Sequence, residues 1–133
     1  LIGERTAEEL KIMLGSASIE KAQGSMQVHG RDMVTGLPRV VEVPAKEIAV
    51  AMSEIIHQIL DAVKDVLEQT PPEISADVID HGIVLTGGGA MLRHLAEMIS
   101  KETQVPAFVA NDPLDCVALG TGAILANPSL MKK

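Results

Sequence analysis

Apolar residues recur along this chain at two spacings, and the changeovers divide it into elements. Ala7, Leu10 and Leu14 stand three and four apart behind Thr6-Ala7-Glu8-Glu9. That tetrad reads as a capping box, in which the Thr6 hydroxyl accepts from the amide of Glu9 and the Glu9 side chain reaches back. A helix from about Ala7 to Leu14 is predicted, with Gly15 as its stop. Residues 18–25 are polar and weakly patterned and read as a loop. Met26, Val28, Val41 and Val43 then alternate with polar neighbours, the period of half-buried strands. Gly36-Leu37-Pro38 between them marks a turn, so Met26–Gly30 and Arg39–Val43 are predicted to pair as a hairpin. Pro44 opens a long amphipathic helix, from about Ala45 to Gln69. Its stripe runs through Ile48, Met52, Ile55, Ile59, Val63 and Val66, widened by Ile56, Leu60 and Leu67.

Beyond Thr70-Pro71-Pro72 a short helix is expected over Glu73–Asp80. Gly82-Ile83-Val84-Leu85-Thr86 is a continuous apolar run, suited to a strand buried on both faces of a parallel sheet. Gly87-Gly88-Gly89 breaks it. Met91, Leu92, Leu95, Met98 and Ile99 form the next helical stripe, and Val105–Ala110 a second buried strand. Pro113 opens a last helix that Asn127-Pro128 stops. Strand, helix, strand, helix from Gly82 onward defines an α/β architecture with a right-handed crossover.

Composition narrows the functions this architecture can serve. With 133 residues, 47% of them apolar, the chain can bury one core or two small ones. Its net charge of −7 argues against a general grip on nucleic acid, which needs clustered positive charge. Between Glu42 and Asp80 stand nine acids against Lys46 and Lys64, a surplus equal to the whole net charge. That stretch is either the solvated face of a helix or a docking surface for a basic partner. The single Phe108 leaves almost no aromatic platform for bases or sugars. One cysteine, Cys116, excludes an internal disulfide and fits a reducing, cytosolic setting; within its apolar helical pattern it reads as a small core residue. No run is long enough to span a membrane. The chain opens at Leu1, not Met, which suits a piece of a longer protein.

The strongest local signal is Leu85-Thr86-Gly87-Gly88-Gly89-Ala90, where a buried strand ends and a helix begins. Ligands of open α/β sheets bind at the carboxyl ends of strands, and glycines there let the backbone approach them. No Gly-Lys-Ser or Gly-Lys-Thr follows, and Leu92 stands where a dinucleotide fingerprint would need glycine. From spacing alone, nucleotide binding and tight packing remain open. Glu8 and Lys11, at i and i+3, share one side of the first helix. They could hydrogen-bond a ribose or base edge, or form a surface ion pair. Gly120-Thr121-Gly122-Ala123 puts small residues on one side of the last helix, as close packing on a sheet requires. The histidines His29, His57, His81 and His94 form no metal-ligand spacing, and no nucleophile elbow supports a hydrolase triad.

Several stretches in register carry a resemblance. They are Gly3-Glu4-Arg5-Thr6-Ala7-Glu8-Glu9-Leu10-Lys11, Gly15-Ser16-Ala17, Gly30-Arg31-Asp32-Met33-Val34-Thr35-Gly36-Leu37-Pro38, Thr70-Pro71-Pro72-Glu73, the Gly82–Ala90 run, and Asp112-Pro113-Leu114-Asp115-Cys116-Val117-Ala118. In this order they closely resemble the carboxy-terminal part of the MreB family, the rod shape-determining bacterial actin homologues. The resemblance implies part of an actin-like ATPase (ribonuclease-H-like) α/β fold. Residues 1–60 would form a small outer α+β subdomain, and residues 61–133 part of the inner ATPase subdomain.

It also implies a site. In the family the Glu-x-x-Lys helix meets the nucleoside, which places Glu8, Glu9, Leu10 and Lys11 at ATP; the Gly-Gly-Gly-Ala turn places Gly87, Gly88, Gly89 and Ala90 there too. The phosphate loops and the Mg2+-holding residues of the family are not in this chain. One wall of a nucleotide cleft is therefore expected, with no catalytic centre and no metal site of its own. His81 and Asn111 stand where Arg and Glu are usual in the family. The implied partners are other copies of the protein in a filament, the membrane adaptor RodZ and the cell-wall machinery. The implied location is cytoplasmic, membrane-associated as a polymer. Rival readings are a sugar-kinase or chaperone-like ATPase, which the Gly-Arg-Asp-Met-Val-Thr-Gly hairpin opposes, and a free-standing acidic protein-binding module.

Overall fold

The computed structural model describes residues 1–131. Helix α1 covers Glu4–Leu14, and strands β1 (Ser25–Arg31) and β2 (Pro38–Pro44) follow. Helix α1 starts earlier than the capping pattern predicts. The carbonyl of Gly3 accepts the first helical bond, from Ala7 N at 3.0 Å, so Thr6 is already inside the helix and caps nothing. Glu9 pairs with Arg5 instead, at 3.3 Å.

The hairpin is antiparallel, with Met26 opposite Val43 and Val28 opposite Val41. Its turn is closed by Asp32, whose carboxylate accepts from the amides of Val34 and Thr35 at 2.8 and 3.0 Å and from Arg39 at 3.1 Å. Those donors, the Thr35 and Val34 amides before the Arg39 guanidinium, hold the Asp32 carboxyl at about 2.

Helix α2 spans Ala45–Glu68. Its buried residues are Ala45, Ala49, Ile56 and Leu60, with Ile48, Met52 and Val63 packed at the margins. The predicted stripe is thus corrected: Ile55, Ile59 and Val66 are exposed, and two alanines sit on the seam instead. Small side chains let α1 and the hairpin approach the helix closely, which a count of large apolar residues cannot register.

The helix carries two cores. Leu10, Leu14, Ala22, Val28, Ala45 and Ala49 make the first. Ala17, Ile56, Leu60, Leu95 and Ile99 make the second. The changeover lies between Ala49 and Ile56, so a single rigid rod organises both.

After helix α3 (Pro72–His81), strand β3 (Ile83–Leu85) pairs in parallel with β4 (Ala107–Val109), and α4 (Leu95–Thr103) connects them. Both strands are shorter than predicted. Val84 is 53% and Phe108 47% exposed, so the sheet is covered on one face only, not on both as the apolar run suggested. Helix α4 fills the covered face with Leu95 and Ile99, and Ile99 is nearly sealed. The predicted continuous helix from Met91 is interrupted. Gly88–Met91 forms a 3-10 turn, and α4 begins only after His94, which takes a left-handed backbone with φ 65°.

Helix α5 covers Cys116–Ala126, starting later than Pro113 because Asp112–Asp115 closes a turn first, with Asp115 N bonded to Asp112 O at 2.9 Å. None of its residues is buried. Cys116 is half-exposed rather than a core residue, its Sγ facing the carbonyls of Asn111 and Asp112. A Cβ added at Gly120 or Gly122 meets nothing within 4 Å, so the predicted close packing on the sheet is not made among the described residues.

Candidate functional site

The Gly87–Ala90 turn follows β3 directly, at the carboxyl end of the parallel pair. Its amide at Gly87 donates to Pro113 O at 2.7 Å, which ties the turn to the segment before α5. Gly87 has φ 81° and ψ 174°, a conformation essentially reserved for glycine. Gly88 and Gly89 have no such excuse. A Cβ at Gly88 would reach only Leu114 Cδ2 at 3.4 Å, and one at Gly89 would meet nothing. Packing among the described residues therefore does not call for glycine at either position. Both are exposed, while Ala90 is buried and anchors the turn from behind. The first amides of a 3-10 turn have no acceptor within it, so an acceptor arriving from outside would find donors here.

On α1, Lys11 Nζ lies 2.7 Å from Glu8 Oε2, and both side chains are about half exposed. Glu9 is exposed as well, whereas Leu10 is 3% exposed and belongs to the first core. Of these four predicted residues, Glu8, Glu9 and Lys11 offer side chains to solvent and Leu10 holds the helix in place.

The end of α1 and the stretch just after the glycine turn are bound together. Gly15 lies between the last turn of α1 and Leu92: an added Cβ would collide with Lys11 O and stand 3.0 Å from Leu92 Cδ1. Ser16 and Arg93 form a parallel bridge, and Ala17 N donates to Arg93 O at 2.8 Å. The Arg93 guanidinium donates to Gly15 O at 3.2 Å and also to Met13 O. Ser16, 2% exposed, has its Oγ 2.9 Å from His94 Nδ1. Hydrophobic spacing does not single out Ser16, Arg93 and His94, because the apolar stripe from Met91 to Ile99 fits one unbroken helix. The signal was the small-residue run Gly15-Ser16-Ala17, which permits backbone to lie against backbone.

A polar recess of about 440 Å³ lies beside this junction, lined by Ser16, Glu20, Lys21, Gln23, Arg93 and His94 among others. A second, of about 310 Å³, lies under the hairpin against Leu1, Ile2, Val28 and Val41. Neither includes a predicted nucleotide residue; of those, Leu10 and Ala90 are buried and the rest lie at the surface. Among the described residues no three His, Cys, Asp or Glu side chains gather as a metal site would require.

Comparison with solved structures identifies the class first. The subunit of a MamK double helical filament matches 86% of this chain, and 34% of its own, with a TM-score of 0.68 at 20% identity. MreB5 of Spiroplasma citri bound to ADP matches 98% of this chain and 39% of its own, with a TM-score of 0.88 at 36% identity. The fold is part of the actin-like fold. The sequence profile of the MreB/Mbl protein family matches residues 1–133, and the chain belongs to that family. Cell shape-determining protein Mbl of Bacillus subtilis is 47% identical over all 133 residues, and MreB of Escherichia coli is 45% identical over 125. The chain spans 40% of the length of the Mbl relative and 36% of that of MreB.

Proposed function

We propose that this chain supplies one wall of an adenine-nucleotide cleft in a cell shape-determining, filament-forming protein. The observation that carries this reading is the glycine turn: Gly88 and Gly89 are exposed at the carboxyl end of β3 in positions where packing does not demand glycine. A flat approach by a ligand does demand it. The ADP and AMPPNP in the titles of the Spiroplasma citri MreB5 structures support ATP or ADP as that ligand. Glu8 and Lys11 would meet the nucleoside, with Glu9 beside them; Gly87–Gly89 would lie along the nucleotide, and Leu10 and Ala90 would hold the two surfaces from the core side. Bound ATP would supply a phosphoanhydride whose cleavage needs phosphate-binding and Mg2+-binding groups that the family carries elsewhere. The residues here bind and orient.

In this reading residues 1–60 serve as the small outer subdomain and 61–133 as part of the inner ATPase subdomain, joined through α2. The whole polypeptide would assemble with its own copies at the cytoplasmic side of the membrane. It would direct cell-wall synthesis there through an adaptor such as RodZ. The MamK filament supports self-association. No helix among the described residues is long and apolar enough to cross a membrane, so membrane contact would come from other parts or from partners. The test is ATP titration of the full-length protein carrying Gly88→Val or Lys11→Ala. At least a tenfold loss for Gly88→Val, with the circular dichroism kept, is expected. Unchanged affinity in both variants would make the turn a packing device.

A further inference from the structure

We propose that Arg93 is a positioning residue for nucleotide binding, which fixes α1 against the glycine turn without touching the ligand. The inference rests on the cleft reading above and adds a device to it. Helices end with carbonyls that lack intrahelical partners. At the end of α1 two backbone carbonyls, those of Met13 and Gly15, are taken by one guanidinium, that of Arg93. The planar fork of arginine suits this double donation, and its positive charge suits the negative end of the helix. The same residue's backbone carbonyl accepts from Ala17 N at 2.8 Å.

Arg93 thus holds the α1 terminus from both its main chain and its side chain. Lys11 sits one turn before this clamp, and its own carbonyl accepts from Gly15 N at 2.8 Å. On the other side, only Met91 and Leu92 separate Arg93 from Ala90 of the turn. The two predicted nucleotide surfaces are consequently joined by a strut that runs from Gly89-Ala90 through Arg93 to Lys11. Arg93 itself is exposed, so its role is not core filling. Ser16 and His94 make a second, parallel tie through Oγ and Nδ1.

The experiment is a double-mutant cycle on ATP affinity in the full-length protein, with Arg93→Met, Lys11→Ala and the pair. Arg93→Met keeps the stem and removes the donors. Each single variant is expected to weaken ATP binding about fivefold. The pair should be hardly weaker than either, because without the strut Lys11 is no longer held where it acts. Arg93→Lys, which can serve one carbonyl, should recover about half of the loss on a logarithmic scale. It also decides the matter by the same criteria should Arg93→Met fail to fold. Losses that multiply would mean that Arg93 acts independently of α1 and overturn the proposal. Wild-type affinity in Arg93→Met alongside a weakened Lys11→Ala overturns the strut and leaves the cleft reading intact. Wild-type affinity in both Lys11→Ala and Gly88→Val overturns the cleft reading and the strut with it.

Discussion

Helices α4 and α5 each follow a strand of the same parallel pair, yet they end in opposite environments. Helix α4 is amphipathic. Leu95 and Ile99 face the second core, and its polar side reaches out through Glu97 to Lys21 and through Glu102 to Lys64 of α2. Helix α5 reads Cys-Val-Ala-Leu-Gly-Thr-Gly-Ala-Ile-Leu-Ala, carries no charge, and buries nothing; Val117 and Leu125 are 75% and 82% exposed. A helix that is apolar all round is ordinarily enclosed. The contrast teaches that α4 has its partners within this chain. Among the described residues helix α5 buries none of its own, and the strand residues Val84 and Phe108 stay about half exposed. Exposed apolar surface of this kind marks a contact. The Mbl and MreB relatives are more than twice this chain's length, and in the reading proposed above further polypeptide meets this surface.

Breaking the partnered helix should have the largest effect. Ile99→Ala is expected to cost about 3 kcal/mol, since it opens a cavity in a sealed position, read as a lower midpoint in urea unfolding. Leu125→Ala in the same 133-residue chain should stay within about 0.5 kcal/mol, as exposed substitutions do. Equal losses would mean that α5 is covered in solution. In the full-length protein the same Leu125→Ala should cost about 2 kcal/mol if the helix is enclosed there.

Association sharpens the comparison next. The isolated chain offers open strand edges and the α5 surface, which invite pairing with another copy. Sedimentation should show a dimer or larger species. A clean monomer at high concentration would show that α5 folds back onto the sheet.

A third measurement separates the two kinds of glycine in the turn. Gly87→Ala should destabilise by about 1–2 kcal/mol, because φ 81° is strained for any side chain. Gly89→Ala has open space and should leave stability nearly unchanged while weakening ATP binding in the full-length protein. Equal stability losses in thermal melts would tie both glycines to the fold.

The smallest effect is in acid. Asp32 is held at about 2 against an ordinary 3.8, so its contribution is present above about pH 4 and lost as pH falls towards 2. The carboxyls of Glu97 and Glu102 are also lowered, by the hydrogen bonds from Lys21 and Lys64. They act in the same direction, losing their contribution as pH falls below the usual glutamate range. Asp32→Asn should flatten the acid limb of the hairpin's amide-exchange protection, and Glu102→Gln that of α4. An unaltered limb in Asp32→Asn would show that the Thr35 and Val34 amides do not depend on the carboxylate's charge.

What the residues alone determined is mostly local. The Met26 to Val43 alternation placed the hairpin with its pairing, because strand period and turn chemistry act over a few residues. The Gly87–Gly89 turn at the end of a strand, and the helical spacing of α2 and α4, were likewise visible without a partner. Tertiary structure decided what depends on distant neighbours. It put Ala45 and Ala49 on the seam of α2 in place of Ile55 and Ile59, since burial follows the shape of what packs opposite and not side-chain size. It delayed the start of α4 until after His94, because the backbone of Arg93 is paired with Ser16 and Ala17, seventy-six or more residues earlier, and the His94 side chain is tied to Ser16 Oγ. It also left α5 bare. Hydrophobic periodicity reports that a face wants cover, while only the assembled chain shows whether the cover is there.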